Sequence, residues 1–268
     1  MIGKIYRIIQ KRQSNWYKYI LYTLLIFSAA TGMAAACQQA NDVPVPSVAD
    51  GISDSGFPIV LASLEENQIF LTADPLPEMV YWYSPLSLSI NGREHTFDWG
   101  NISNPSYYPH MKLVDIDGDG EDELFIQVCV GQGNGCFVGE LHVINTEDFS
   151  EISVEDPLSV LKERTKTEIN KKGIKIQIDD ESPVLYSENE VEAKVDKRER
   201  WYESPKYGTY ISYKEKSNEI HADVGAELTH YAFLGDFTLV YRYEDNGLVV
   251  NKIIFKNNEL HDLNQLDK

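Results

Sequence analysis

The sequence predicts a mostly β fold of the α+β type, with antiparallel strands and one or two short helices. Three observations carry this. Apolar and polar residues alternate with period two over Leu86–Ile90 and Ile174–Ile178, the pattern of a strand with one buried face. Tight-turn signals, Asn91-Gly92 and Asp245-Asn246-Gly247, sit between such runs and fit two-residue hairpins. Helix-start chemistry is confined to Asp156-Pro157, an N-cap acid followed by proline at the first helical position.

The chain opens with Lys4, Arg7, Lys11, Arg12 and Lys18 and no acid, then an apolar run from Tyr19 to Ala30 and small residues up to Cys37. A basic stretch, an apolar stretch and a small-residue cleavage point define a secretory leader. Ala34-Ala35-Ala36-Cys37 resembles the lipobox of bacterial lipoproteins, with Ala34 in place of the usual Leu. That resemblance implies cleavage of residues 1–36 and lipid attachment to Cys37. The competing reading is an uncleaved helix, because the 18 residues from Tyr19 to Ala36 are about long enough to span a bilayer. Both readings tether the body to the extracytoplasmic face of a bacterial cell membrane.

Residues 37–57 hold Pro44, Pro46, Ser47, Ser53 and Ser55 without periodicity and read as a flexible tether. The whole chain carries 24 basic and 42 acidic residues; without the five leader bases, 19 stand against 42, a net charge of −23. Such a surface repels nucleic acid and anionic headgroups, which excludes nucleic-acid partners and suits a cation-binding surface protein.

Two regions follow, a β domain over 58–150 and a helix-plus-antiparallel-β region over 151–268, expected to pack with the preceding part. Ile59–Leu64 admits either a strand or a helix start, and Pro75, Pro77 and Pro85 break the next stretch. Leu86–Ile90 and Glu94–Trp99 form a hairpin, and Asn101–His110, with Pro105 and Pro109, reads as an irregular loop. Leu124–Val130 and Cys136–Ile144 pair antiparallel across a wide turn at Gly131–Gly135. This places Cys129 and Cys136 near the neck of the hairpin, an even pair outside the cytoplasm, which reads as a disulfide. Closing that loop would stabilise the fold by about 2.5 kcal/mol in the chain-entropy model. The helix from Pro157 is expected to run up to Gly173, and Lys194–Lys206 to be a loop. Strands are expected at Tyr207–Lys214, Glu219–Leu228, Phe237–Tyr243 and Leu248–Phe255.

The most informative segment is Asp115-Ile116-Asp117-Gly118-Asp119-Gly120-Glu121-Asp122-Glu123. Acids at alternate positions around a glycine offer converging oxygens to a hard cation such as Ca²⁺, which takes six to eight. An EF-hand needs an acid at the twelfth position and flanking helices, but the twelfth residue is Ile126, inside an apolar strand pattern. The loop is similar instead to the FG-GAP and VCBS type, seated between strands. That resemblance implies side-chain ligation by Asp115, Asp117, Asp119 and Glu123, with Glu121 contributing its carbonyl. Three close carboxylates repel one another without a cation, so a structural Ca²⁺ is expected. With Ile90-Asn91-Gly92, Phe97-Asp98-Trp99, Gly131–Gly135 and Glu140-Leu141-His142-Val143, the stretch 86–145 resembles a group of Gram-positive lipoproteins carrying one such loop. A single loop and no internal repeat argue against a propeller.

Catalytic motifs are lacking. The six histidines are scattered without zinc-ligand spacing, and no G-x-S-x-G occurs. Gly131–Gly135 lacks the Lys and Ser/Thr of a phosphate loop, and no carboxylate pair stands out for hydrolysis. The aromatics Tyr81-Trp82-Tyr83, Trp99, Tyr107-Tyr108 and Trp201-Tyr202 fit core packing, or a platform for sugar or peptide. Tyr107 and Tyr108, bracketed by prolines ahead of the acidic loop, are the best candidates for the latter. The expected function is therefore a non-enzymatic, lipid-anchored, calcium-stabilised protein that binds an envelope glycan or protein. The alternatives are an extracellular hydrolase and an accessory or sensory subunit of a membrane complex.

Overall fold

A computed structural model describes residues 57–75, 80–170, 172–230 and 232–257. The expected leader, Cys37 and all of the tether except Phe57 lie outside the described residues. Within them, no helix is long and apolar enough to cross a membrane.

Ile59–Leu64 is a strand (β1), followed by β2 (Ile69–Ala73), β3 (Trp82–Tyr83), β4 (Leu86–Ile90), β5 (Arg93–Phe97) and β6 (Asn101–Ile102). The rest of the first half is β7 (His110–Val114), β8 (Glu123–Gly133), β9 (Cys136–Ile144) and β10 (Glu151–Val154). Strands β1-β2-β4-β5 make a small antiparallel sheet, and β3 pairs with β6. The Asn91-Gly92 hairpin forms with Ile90 opposite Arg93.

Helix α1 covers Pro157–Arg164, capped by the Asp156 carboxylate, which accepts from the Leu158 and Ser159 N–H groups. It ends well before Gly173, a correction to the longer expected helix. Thr165-Lys166-Thr167-Glu168-Ile169 alternates β-branched and charged residues, which favours a strand. The Thr165 hydroxyl closes the helix by donating to the Leu161 carbonyl at 2.6 Å. Residues Thr165–Asn170 then form β11, paired with β12 (Gly173–Ile178) and through it with β13 (Val184–Ser187). Gly173 takes φ 134°, and a Cβ there would lie 1.8 Å from the Tyr186 carbonyl oxygen. Only glycine fits that approach. Arg164 ties this sheet down, gripping Asp179 with two nitrogens at 2.8 and 2.9 Å and donating to the Val250 carbonyl.

The expected loop Lys194–Lys206 is preceded by a second helix, α2 (Glu188–Lys194), whose N-cap Ser187 accepts from Glu190 N–H. The stretch also holds a single 3-10 turn at Arg198–Arg200. Four long strands complete the described residues: β14 (Tyr210–Lys216), β15 (Glu219–Thr229), β16 (Ala232–Glu244) and β17 (Gly247–Asn257). The β14–β15 and β16–β17 hairpins close through Ser217-Asn218 and Asp245-Asn246, all four at positive φ, the mirror-image turn that matches strand twist.

The main sheet has the order β10-β17-β16-β15-β14-β9-β8-β7, and β10 also pairs with β9. That second pairing closes β9, β14, β15, β16, β17 and β10 into a ring. Two of its joints, β10–β17 and β14–β9, are parallel; the remaining pairs are antiparallel. Strands from both sides of residue 150 thus share one sheet.

β8 is the central element. Leu124, Ile126 and Val128 pack into a core shared with the small sheet. Phe125 faces the larger core, which holds Leu141, Val143, Leu161, Val191 and Leu239. A strand buried on both faces reads as a continuous apolar run, and Leu124-Phe125-Ile126 reads that way.

Candidate metal centre

The acidic loop joins β7 to β8, with Val114 and Glu123 paired as the last rung of the ladder. Ile116 anchors it by burying its side chain in the larger core, so its acidic neighbours on either side turn the other way. Each early acid also folds the loop. Asp115 Oδ1 accepts from Gly118 N–H at 2.8 Å, Asp117 Oδ1 from Asp119 N–H at 3.1 Å, and Asp119 Oδ1 from Glu121 N–H at 2.8 Å. Gly120 sits at φ 95°, where a side chain would be strained.

Carboxylate oxygens of Asp115, Asp117 and Glu123 all lie within 4.8 Å of one another. Glu123 is 2 % exposed, and its Oε2 accepts from the Ile116 N–H at 2.9 Å. Burial pushes the Glu123 carboxyl up, the Ile116 N–H opposes this, and the charges of Asp117 and Asp119 push it up further. A buried carboxylate facing two others is costly unless a cation neutralises it. The all-oxygen donor set suits Ca²⁺ over softer metals. Of the five expected ligands, the structure brings together these three. The Asp119 side chain is exposed and its carboxylate stands outside the cluster; Glu121, expected through its backbone carbonyl, is exposed as well. The residues therefore fit a calcium site as a three-carboxylate core, with other oxygens needed to complete it.

The expected Cys129–Cys136 disulfide is corrected. The glycine-rich stretch is not a wide turn: β8 continues through Gly133, and the chain reverses over Asn134-Gly135. A bulge falls between Cys129 and Gly131, Cys129 pairs with Gly139, and Cys136 pairs with Gly133. Three ladder steps at about 3.3 Å each separate the two positions, beyond the roughly 7 Å that a bridge tolerates between Cα atoms. Both are free thiols. Burial pushes each of them up, which makes them poor nucleophiles.

Most of the singled-out aromatics are structural. Trp99 stacks between Phe97 (3.8 Å) and His142 (4.0 Å), and His142 Nδ1 is 2.6 Å from Glu151 Oε1. The Nε2 of that histidine is buried, with no hydrogen-bond partner among the described residues. Trp201 is 8 % exposed and donates to the Asp196 carbonyl, while Tyr202 donates to Glu227. Tyr83 is buried and its hydroxyl meets that of Tyr108 at 3.4 Å. Tyr81 is 74 % exposed, and the Trp82 ring lies against Gly100, leaving no room for a Cβ there.

Tyr107 differs. It ends a 3-10 turn (Pro105–Tyr107) capped by Asn104. Asn101, fully buried, donates to the Tyr107 carbonyl at 3.0 Å and accepts from Cys129 N–H at 2.6 Å. This clamp fixes Tyr107 beside the far end of β8, where its ring meets Phe137. That neighbourhood, with Tyr210, Asp223, Phe233 and Asp236, was not visible in the sequence. Its members come from a 3-10 turn and four different strands, and no local spacing joins them all. No protein-family model matches this chain, and no curated protein or solved structure is significantly similar to it.

Proposed function

We propose that this is a lipid-anchored, extracytoplasmic binding protein whose β fold is held at one end by a structural calcium ion. The observation that carries the reading is the buried Glu123 carboxylate converging with Asp115 and Asp117 within 4.8 Å. Bound there, Ca²⁺ would supply positive charge to three converging carboxylates. The protein's own part is to hold them: Ile116 plugs the loop into the core, Glu123 starts β8, and the Asx turns set the curvature. A structural role fits better than a sensor, because a sensor needs an element with two states and this loop is pinned between two paired strands. The export and anchoring part rests on the leader and Cys37.

The test is thermal melting of the purified protein in excess chelator and in millimolar Ca²⁺. A cation present at about 100 times its dissociation constant stabilises by about 2.7 kcal/mol, a rise of roughly 5–10 °C for a domain of this size. Identical melting in both conditions would remove calcium from the account.

A further inference from the structure

At the end of the β8–β9 hairpin opposite the acidic loop lies a cleft of about 480 Å³. Its walls include Tyr107, Phe137, Tyr210 and Phe233, all half-buried, with Asp223 and Asp236. Three of the rings form a row: Tyr107 and Phe137 centroids are 6.3 Å apart at 29°, and Phe137 and Tyr210 are 6.4 Å apart at 49°. The two acids project from neighbouring strands. Asp223 is opposite Thr238 and Asp236 opposite Gly225, which makes them diagonal neighbours on one face.

The two carboxylates differ in what they have free. Asp223 is committed: Oδ1 accepts from the Thr238 hydroxyl at 2.6 Å, and Oδ2 pairs with the Lys214 ammonium. Burial alone would push Asp223 up, but Lys214 and Thr238 prevail and hold it below the usual carboxylate range. Asp236 has no hydrogen-bond donor on its carboxylate among the described residues. Burial and the charge of Asp223 push it up against Lys256 and Lys214. It is a half-buried acceptor waiting for a donor, which is the kind of group that fixes a ligand in an otherwise aromatic cleft.

We propose that this cleft binds a β-linked pyranose oligosaccharide, its flat C–H faces stacked on Tyr107, Phe137 and Tyr210 and its hydroxyls donating to Asp236. A β-linked pyranose has an apolar face of axial C–H groups and a rim of hydroxyl donors. A row of ring faces carries negative charge density that attracts C–H groups, and a carboxylate accepts from hydroxyls. A cationic peptide fits less well, since Lys214 and Lys256 already sit beside the acids. Hydrolysis fits less well too. Glycoside cleavage needs two available carboxylates, and Asp223 is held by Lys214 and Thr238. The inference deepens the binding function proposed above and rests on it.

The experiment is calorimetric titration of the full-length protein, purified in detergent, with chitotetraose and cellotetraose, and with tetralysine as a cationic control. Saturable binding of at least one sugar is expected. Tyr107→Ala should weaken it about tenfold and the isosteric Asp236→Asn about fivefold. Three results would overturn the proposal: no sugar binding at millimolar concentration, affinity unchanged in both variants, or binding of tetralysine in place of sugar. Asp236→Asn keeps side-chain volume, so the test survives if Tyr107→Ala fails to fold. Sugar binding without calcium-dependent melting would remove the calcium reading alone, whereas calcium-dependent melting without sugar binding would remove the cleft alone.

Discussion

The two ends of the β8–β9 hairpin use the same costly group, a half-buried or buried carboxylate, in opposite ways. At the acidic loop, Glu123 faces Asp115 and Asp117, so a cation is the natural complement. At the cleft, Asp236 lies among aromatic rings beside an acid that already has its lysine, so a neutral hydrogen-bond donor is. The difference teaches that burial sets how much a carboxylate wants a partner, while the neighbours decide which partner. Both acids are pushed up by burial first, yet the partners we propose for them differ, a divalent ion in one place and hydroxyls in the other.

The sharpest way to break this comparison is to neutralise each acid in turn. Glu123→Gln should abolish the calcium-dependent rise in melting temperature, a loss of roughly 5–10 °C in millimolar Ca²⁺. In chelator the same variant should melt at or above the wild type, because it no longer buries a charge among like charges. A variant that is destabilised equally in both conditions would show Glu123 to be structural only.

A smaller effect separates the cleft acids by pH. The folded-state value of Asp223 is depressed, so its stabilisation is present above the unfolded value of about 3.9 and lost as pH falls through the folded value. Asp236 runs the other way. Its raised value means that its favourable contribution is present below about 3.9 and lost as pH rises through the folded value. At neutral pH, Asp236→Asn should therefore stabilise by about 1 kcal/mol or less, while Asp223→Asn destabilises. Urea unfolding at pH 7 and pH 3 reads both signs, and the difference between the two variants should shrink at the lower pH. The smallest expected effect concerns the thiols. Reductant should leave melting unchanged, since no bridge joins Cys129 to Cys136. Iodoacetamide should modify half-buried Cys136 before buried Cys129, as peptide mass mapping would show.

The convergence of acids at the loop was legible because its chemistry is contiguous: nine successive residues hold every acid, and they alternate with Ile116 and the glycines. The strands and hairpin turns of the second half were legible for the same reason, since Asp245-Asn246 reverses the chain by local sterics. Where local signals conflicted, tertiary pairing decided. Thr165–Asn170 continued a helix start but had β12 to pair with. Gly131–Gly133 looked like turn material but had Cys136–Val138 opposite it. That pairing also separated the cysteines: with the reversal at Asn134-Gly135, Cys136 faces Gly133 while Cys129 faces Gly139. The cleft was illegible for a stronger reason. Tyr107, Phe137, Tyr210 and Asp236 meet only once β9, β14, β15 and β16 lie side by side with the Pro105–Tyr107 turn against them.

The sharing of β8 between two cores bears on how the molecule comes apart. Leu124, Ile126 and Val128 on one side and Phe125 on the other cannot be released separately, since freeing the strand strips both neighbours at once. Unfolding should therefore be a single cooperative event rather than a sequential peeling of sheets. Tightening at either tip of that strand would then slow hydrogen exchange along its whole length.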